Sequence, residues 1–164
     1  TIADETATLG VLVQANFGGT LTVSGVRMDD IRKDTLDEQE GASVMIIFAT
    51  DLPLPGSDLD RVAKRATFGL ARTGSRGGHG SGDYVIGFST TFRSGEKSRI
   101  RKEMRKKESS IDIPFQAIAE ATEEAILNAA FKATTLSGRD GNLHEAVPIE
   151  KVVARLKTAG QLEP

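Results

Sequence analysis

Ser43 to Thr50, SVMIIFAT, is an apolar and partly β-branched run of eight residues. A strand with one wet face alternates apolar and polar residues, whereas a continuous run such as this suits a strand covered on both faces. It therefore reads as the central strand of the fold. Immediately upstream, Gly25 to Ala42 (GVRMDDIRKDTLDEQEGA) is charged and without sustained periodicity, the composition of an exposed linker. Further upstream, Leu9 to Phe17 (LGVLVQANF) is closed by Gly18 and Gly19, and Thr20 to Ser24 (TLTVS) follows as a shorter strand, which together predict a hairpin.

Downstream of the central strand, DLPLPG makes a turn. Ser57 is then placed to cap a helix whose apolar residues Leu59, Val62, Ala63, Ala66 and Leu70 follow helical spacing. Thr73 to Asp83 (TGSRGGHGSGD) is the most Gly-rich stretch and runs into a further strand, Tyr84 to Phe92 (YVIGFSTTF), so this loop delivers its residues to a strand edge. Arg93 to Glu108 is dominated by Lys, Arg and Glu with no aromatic residue among them, which reads as a solvated loop or exposed helix and not as a nucleic-acid surface. Pro114 suits the first turn of a second packing helix carrying Phe115, Ile118, Ala119, Ala125, Ile126 and Ala129, ended by the turn SGRDG. Pro148 precedes a third, with Ile149, Val152, Val153 and Leu156 on its apolar face and Gly160 as its stop. Strands early and in the middle, with helices between and after them, imply a layered α/β fold.

The 164 residues are 38% hydrophobic, enough for one core and hence for one domain or a large part of one. With 21 basic and 23 acidic side chains the formal charge is -2, so no global field points to nucleic acid or to a membrane surface. No apolar run approaches the roughly 20 residues of a membrane-spanning helix. The absence of cysteine removes disulfides, thiolate nucleophiles and Cys-based zinc sites, and His79 and His144 are too few for a His-rich metal centre. The opening TIADETATLG has neither an initiator Met nor the n- and h-regions of a secretion signal. The sequence is thus expected to begin inside a longer precursor or after a proteolytic step. A cytoplasmic location is expected, with export to a periplasm left open.

Nucleophilic chemistry in such a chain must rely on a hydroxyl. One candidate grouping is His79, Ser81 and Asp83 on the Gly-rich loop. Another is a Ser or Thr activated by its own free α-amine, whose reference pKa of about 7.7 to 8.0 lets it act as a base near neutral pH. The Gly-rich loop could also cradle phosphate, but it lacks a GK(S/T) ending and precedes a strand. Taken singly, Ser43 could simply begin a strand, Asn16 could cap a turn, and the loop could be an ordinary turn. Thr1 is a possible N-terminal nucleophile, but it precedes a polar, acidic stretch in place of an anchoring apolar strand.

Several separated segments in fixed order carry a more specific signal: GVLVQANFG, GASVMIIFATDLPL, GLARTGS, GHGSGDYVIGFST and ATEEAILNAAFKATTLSGRDG. Together they resemble the family of the D-aminopeptidase and β-peptidyl aminopeptidases, self-processing N-terminal-nucleophile peptidases, over nearly the whole chain from Leu9. The resemblance implies an αββα sandwich. It also implies that a precursor cuts itself between Ala42 and Ser43. Residues 1–42 would then be the C-terminal end of a first subunit with its processing linker, and residues 43–164 the second, nucleophile-bearing subunit of one domain. Ser43 would supply both nucleophile and α-amine base, Ser81 and Asp83 would be the accessory residues of the GSG(D/E) motif, and Asn16 would donate to the oxyanion. Relatives commonly carry Gly or Asn before the nucleophile, where Ala42 stands here.

The activity implied is removal of the N-terminal residue from short peptides, amino-acid amides or esters through a Ser acyl-enzyme, without metal or organic cofactor. A related linear-amide hydrolase is the alternative within that class, and a non-catalytic structural or ligand-binding relative the alternative outside it. Implied partners are the remainder of the first subunit, further copies in a homo-oligomer of two-subunit units, and a small peptide or amide substrate. Neither nucleic acid nor membrane is among them.

Overall fold

The computed structural model describes residues 6–29, 31, 43–80, 82–95, 99–106 and 108–163. In chain order the strands and helices are β1 (Leu9–Asn16), β2 (Thr22–Val23), β3 (Val26–Arg27), β4 (Ser43–Thr50), α1 (Gly56–Arg72), β5 (Asp83–Ser89), α2 (Arg99–Lys106), α3 (Asp112–Lys132), β6 (Leu136–Ser137), β7 (Leu143–His144) and α4 (Ile149–Thr158). The SVMIIFAT run forms β4 and lies in the middle of a three-stranded sheet ordered β1-β4-β5. β1 runs antiparallel to it and β5 parallel.

Successive side chains of a strand point to opposite faces, and β4 divides accordingly. Val44, Ile46 and Phe48 are buried against Val62, Ala66 and Leu70 of α1 and Ile118 and Ile126 of α3. Each such side chain contributes about 1.5–3 kcal/mol relative to exposure, so this helical layer is what holds the sheet flat against its core. The other face is different. Leu12, Ile47 and Ile86 share one register level across the three strands and are 68%, 36% and 53% exposed, with Tyr84 and Phe88 also exposed beside them. The apolar run predicted cover on both faces, and the described residues cover one.

Three sequence expectations are corrected. β1 and the segment after it do not form a hairpin with each other. All eight residues of β1 pair with β4, from Leu9↔Thr50 to Asn16↔Ser43, because that pairing joins two apolar strands over one core. The hairpin is instead β2 with β3. For the same reason the linker does not begin at Gly25: Val26 and Met28 pack with Val23, Val152 and Leu156 in a second, smaller core between this hairpin and α4. Residues 32–42 lie outside the described residues. Ser57 does not cap α1. The helix starts one residue earlier behind Pro55, whose φ of -70° favours helix entry and whose carbonyl accepts from the amides of Asp58 and Leu59.

The remaining helices follow the sequence reading. Pro114 stands in the first turn of α3, α4 runs from Ile149 after Pro148, and the basic stretch after β5 contains α2. The pair β6 and β7 flanks the SGRDG turn as a short hairpin that periodicity did not reveal.

α1 and α3 cross closely at Gly69. A Cβ there would run into the Ala119 carbonyl and lie 2.9 Å from both the Glu123 amide and Thr122 Cβ. Arg72 and Glu123 form an ion pair of 3.3 Å one turn further on. Gly69→Ala would gain about 1 kcal/mol of helix propensity, but the obstructing atoms are largely backbone, and overpacking of this kind costs roughly 1–3 kcal/mol or more. The expected outcome is net destabilisation of about 1–2 kcal/mol, read from urea unfolding midpoints of the two proteins.

Candidate active site

Three strand ends meet at one edge of the sheet. β1 finishes on Asn16, β4 starts on Ser43 and β5 starts on Asp83. Asn16 is the register partner of Ser43, and directly opposed residues of an antiparallel pair have Cβ atoms roughly 4.5–5.5 Å apart. The Asn16 amide, which carries two N–H donors, is therefore within reach of a group held on Ser43 Oγ. Ser43 is half-buried and Asn16 is exposed. By strand alternation both lie on the face opposite the helical layer, with Met45 and Ile47.

Asp83 joins the same edge from the other side. Its register partner is Val44 and not Ser43, so its parity is that of a residue facing the helices. The Val44 amide donates to the Gly82 carbonyl at 3.4 Å, which ties the end of the Gly-rich loop to the start of β4. Among the described residues no hydrogen bond links Asp83 to Ser43. The sequence-predicted residues Ser81 and Ala42 lie outside the described residues, as does any His79–Ser81 pairing.

Asn16 is held in place through the segment on its C-terminal side. Gly19 bridges to Ser75, and the Thr22 amide donates to the Thr73 carbonyl at 3.0 Å. Thr73 is buried, and its hydroxyl donates to the Leu70 carbonyl at 2.8 Å. Gly74, at φ +98°, allows the end of α1 to approach so closely that a Cβ would strike the Thr20 carbonyl. The turn that ends α1, Thr73 to Ser75, thus clamps the exit of β1.

A cavity of about 780 Å³ opens beside Asn16, between the end of β1, the β2–β3 hairpin, the C-terminal half of α3 and the approach to α4. Phe17, Met28, Ile126 and Ala129 contribute apolar wall, and Thr20, Arg27, Asp29 and His144 contribute polar atoms. Arg27 donates from Nη2 to Asp29 Oδ1 at 2.7 Å and from Nε at 3.2 Å. That hydrogen bonding holds the Asp29 carboxyl below its usual range. Sequence reasoning missed this cavity because its lining comes from five separate segments. The one local signal was the apolar pair Val26 and Met28, two residues apart in a largely charged stretch, which is strand alternation.

Solved structures share this fold. An L-aminopeptidase D-Ala-esterase/amidase from Ochrobactrum anthropi, described as a prototype of the serine aminopeptidases and a variant of the Ntn hydrolase fold, matches with TM-score 0.81 at 32% identity. The match covers 99% of this chain and 46% of that one. The PH0078 protein of Pyrococcus horikoshii OT3 matches with TM-score 0.78 at 38% identity, again over 99% and 46%. The chain accordingly has an N-terminal-nucleophile hydrolase fold, and the β1-β4-β5 sheet with α1 and α3 supplies one sheet and one helical layer of the expected sandwich.

The model of peptidase family S58 matches residues 1–144, and the chain belongs to that family. A β-peptidyl aminopeptidase of Sphingosinicella microcystinivorans is 32% identical over 92% of this chain and 43% of its own length. One from Sphingosinicella xenopeptidilytica is 31% identical over 94% and 43%. The chain therefore spans less than half the length of these relatives.

The clamp behind Asn16 is open to test. Gly74→Ala places a side chain at a left-handed φ and against the Thr20 backbone, and should destabilise the protein by about 1–3 kcal/mol. Hydrogen exchange should accelerate at the Thr22 amide, while the β4 amides keep their protection in the folded state.

Proposed function

We propose that this chain carries the processing site and the nucleophile of a self-cleaving serine aminopeptidase. The observation that carries the reading is the register pair Asn16↔Ser43, which sets a neutral amide donor beside a hydroxyl at the first residue of the central strand. In the precursor, Ser43 Oγ attacks the Ala42 carbonyl, the acyl group passes from N to O, and water hydrolyses the ester. The new α-amine of Ser43 is then free to act as base.

Turnover uses the same atoms. The amine accepts the Oγ proton as Oγ attacks the carbonyl of the substrate's first residue, and Asn16 donates to the oxyanion that forms. The proton passes to the departing amine, the C–N bond breaks, and water then hydrolyses the acyl-enzyme. Ser81 would orient the nucleophile, and Asp83 would stabilise the ammonium at the edge of the site. Substrates are short peptides, amino-acid amides or esters. The names of the relatives, β-peptidyl aminopeptidase and L-aminopeptidase D-Ala-esterase/amidase, mark the range over which specificity can fall.

The exposed apolar band Leu12–Ile47–Ile86 is broader than isolated surface residues. The remainder of the first subunit is proposed to cover it as the second sheet of the sandwich, within an oligomer of two-subunit units.

Two measurements test this reading. Intact mass of the freshly expressed full-length polypeptide should reveal two fragments separated before Ser43, and Ser43→Ala should remain a single chain; cleavage persisting in the variant would refute the mechanism. Asn16→Ala should lower kcat by roughly 100- to 1,000-fold, about 3 kcal/mol of transition-state stabilisation, with little change in melting temperature because Asn16 is exposed.

A further inference from the structure

We infer that Tyr84 supplies the surface against which the first residue of the substrate rests, and that its ring favours substrates whose first residue carries a large apolar side chain. The inference rests on the aminopeptidase reading above. Its first support is the face of the sheet. Gln14 is the register partner of Met45, and Met45 that of Tyr84, so the three form a row across the strands on the face opposite the helical layer. Asn16 and Ser43 form the next row on that same face, at the edge of the sheet.

The second support is where the ring lies. Continuing the parallel register one step back from Val44↔Asp83 sets Gly82 level with Ser43, and the Val44 amide, donating to the Gly82 carbonyl, holds it there. Neighbouring strands lie roughly 4.7–4.9 Å apart, so the space over Gly82 adjoins the side chain of Ser43. The Tyr84 ring fills that space: a Cβ on Gly82 would lie 2.9 Å from Tyr84 Cε2 and 3.1 Å from Cζ and Oη. The ring therefore leans from its own row toward that of the nucleophile. Tyr84 is still 61% exposed, which leaves most of its surface for a ligand.

The substituents of the tetrahedral intermediate decide which part of the substrate meets the ring. The oxyanion lies on the β1 side, at Asn16, the register partner of Ser43. The departing nitrogen lies by the α-amine of Ser43, off the end of the strand, from which it takes its proton. The remaining substituent is the acyl chain with the substrate's first side chain, and the side left for it is that of β5, where Met45 and Tyr84 stand level. An aromatic ring offers a large apolar surface of fixed shape. A leucyl side chain buries area against it that an alanyl methyl does not.

Because Tyr84 is exposed, its truncation removes little core packing. In the full-length polypeptide, kcat/KM is measured for two amides with the same leaving group, one alanyl and one leucyl, in the L-, D- or β-configuration that the parent protein accepts. Tyr84→Ala should lower the leucyl-to-alanyl ratio by about tenfold. Tyr84→Phe, which keeps the ring, should hold the ratio within about twofold of the parent. Intact mass verifies cleavage before Ser43 and a thermal melt verifies folding; Tyr84→Thr, β-branched and suited to a strand, carries the same comparison if the Ala variant does not fold. A ratio in the folded, processed Ala or Thr variant that stays within about twofold of the parent, or rises, overturns the assignment and leaves the aminopeptidase reading standing. So does a ratio that falls as far in Tyr84→Phe as in Tyr84→Ala. If the parent protein hydrolyses neither amide in any configuration, the aminopeptidase reading itself fails and the assignment falls with it.

Discussion

The antiparallel ladder between β1 and β4 is the constraint on which the rest depends. Eight register pairs fix it, from Leu9↔Thr50 to Asn16↔Ser43. Because side chains alternate, a slip by one residue would move Val44, Ile46 and Phe48 out of the core and turn Ser43 toward the helices. Burial of those three residues against α1 and α3 therefore does more than stabilise the sheet. It sets which face Ser43 presents and which residue stands opposite it. Core packing and site geometry share one determinant.

The helical layer extends that control beyond the strands. α1 returns from the far end of the sheet to the edge where Ser43 lies, and the turn that follows it meets the segment after Asn16 through Gly74 and the Thr73 carbonyl. The second core, with Val23, Met28, Val152 and Leu156, holds the β2–β3 hairpin against the C-terminal helix and gives the cavity one of its walls. The elements that border the site are thus each anchored by apolar contacts a few residues away, which is how flexible loop residues acquire a fixed position.

Legibility in the sequence followed the range of the interactions. β4 was visible as a continuous apolar run, and α1, α3 and α4 because their apolar spacing is local and repeats about every 3.6 residues. The β1–β4 pairing was not, since nothing within Leu9–Ser24 distinguishes a strand that pairs with its neighbour from one that pairs with a partner 27 residues beyond its end. Met28 was hidden in the same way, as its burial depends on Val152 and Leu156 at the other end of the chain. For the site, motif order pointed to Asn16 and Ser43 as a pair, and the ladder sets them opposite one another. The motif also grouped Asp83 with Ser43, whereas register sets Asp83 level with Val44, a one-residue offset that spacing in sequence does not encode.

The position of the proposed cut relative to the ladder has a mechanical consequence. β1 lies before the Ala42–Ser43 bond and β4 after it, so cleavage would convert their pairing from an intramolecular contact into one between two polypeptides. The same holds for the hairpin packed on α4. Neither set of contacts involves the scissile bond, and both stay available once it is broken. Loss of the linker would free only the first residue of β4, the one residue whose amine must become mobile enough to take a proton from its own hydroxyl. The remaining seven positions of the strand stay bound by β1 on one side and β5 on the other. The proposed nucleophile at the very start of a central strand would thereby be released at its amine while its Cβ, and hence its hydroxyl, kept its place opposite Asn16.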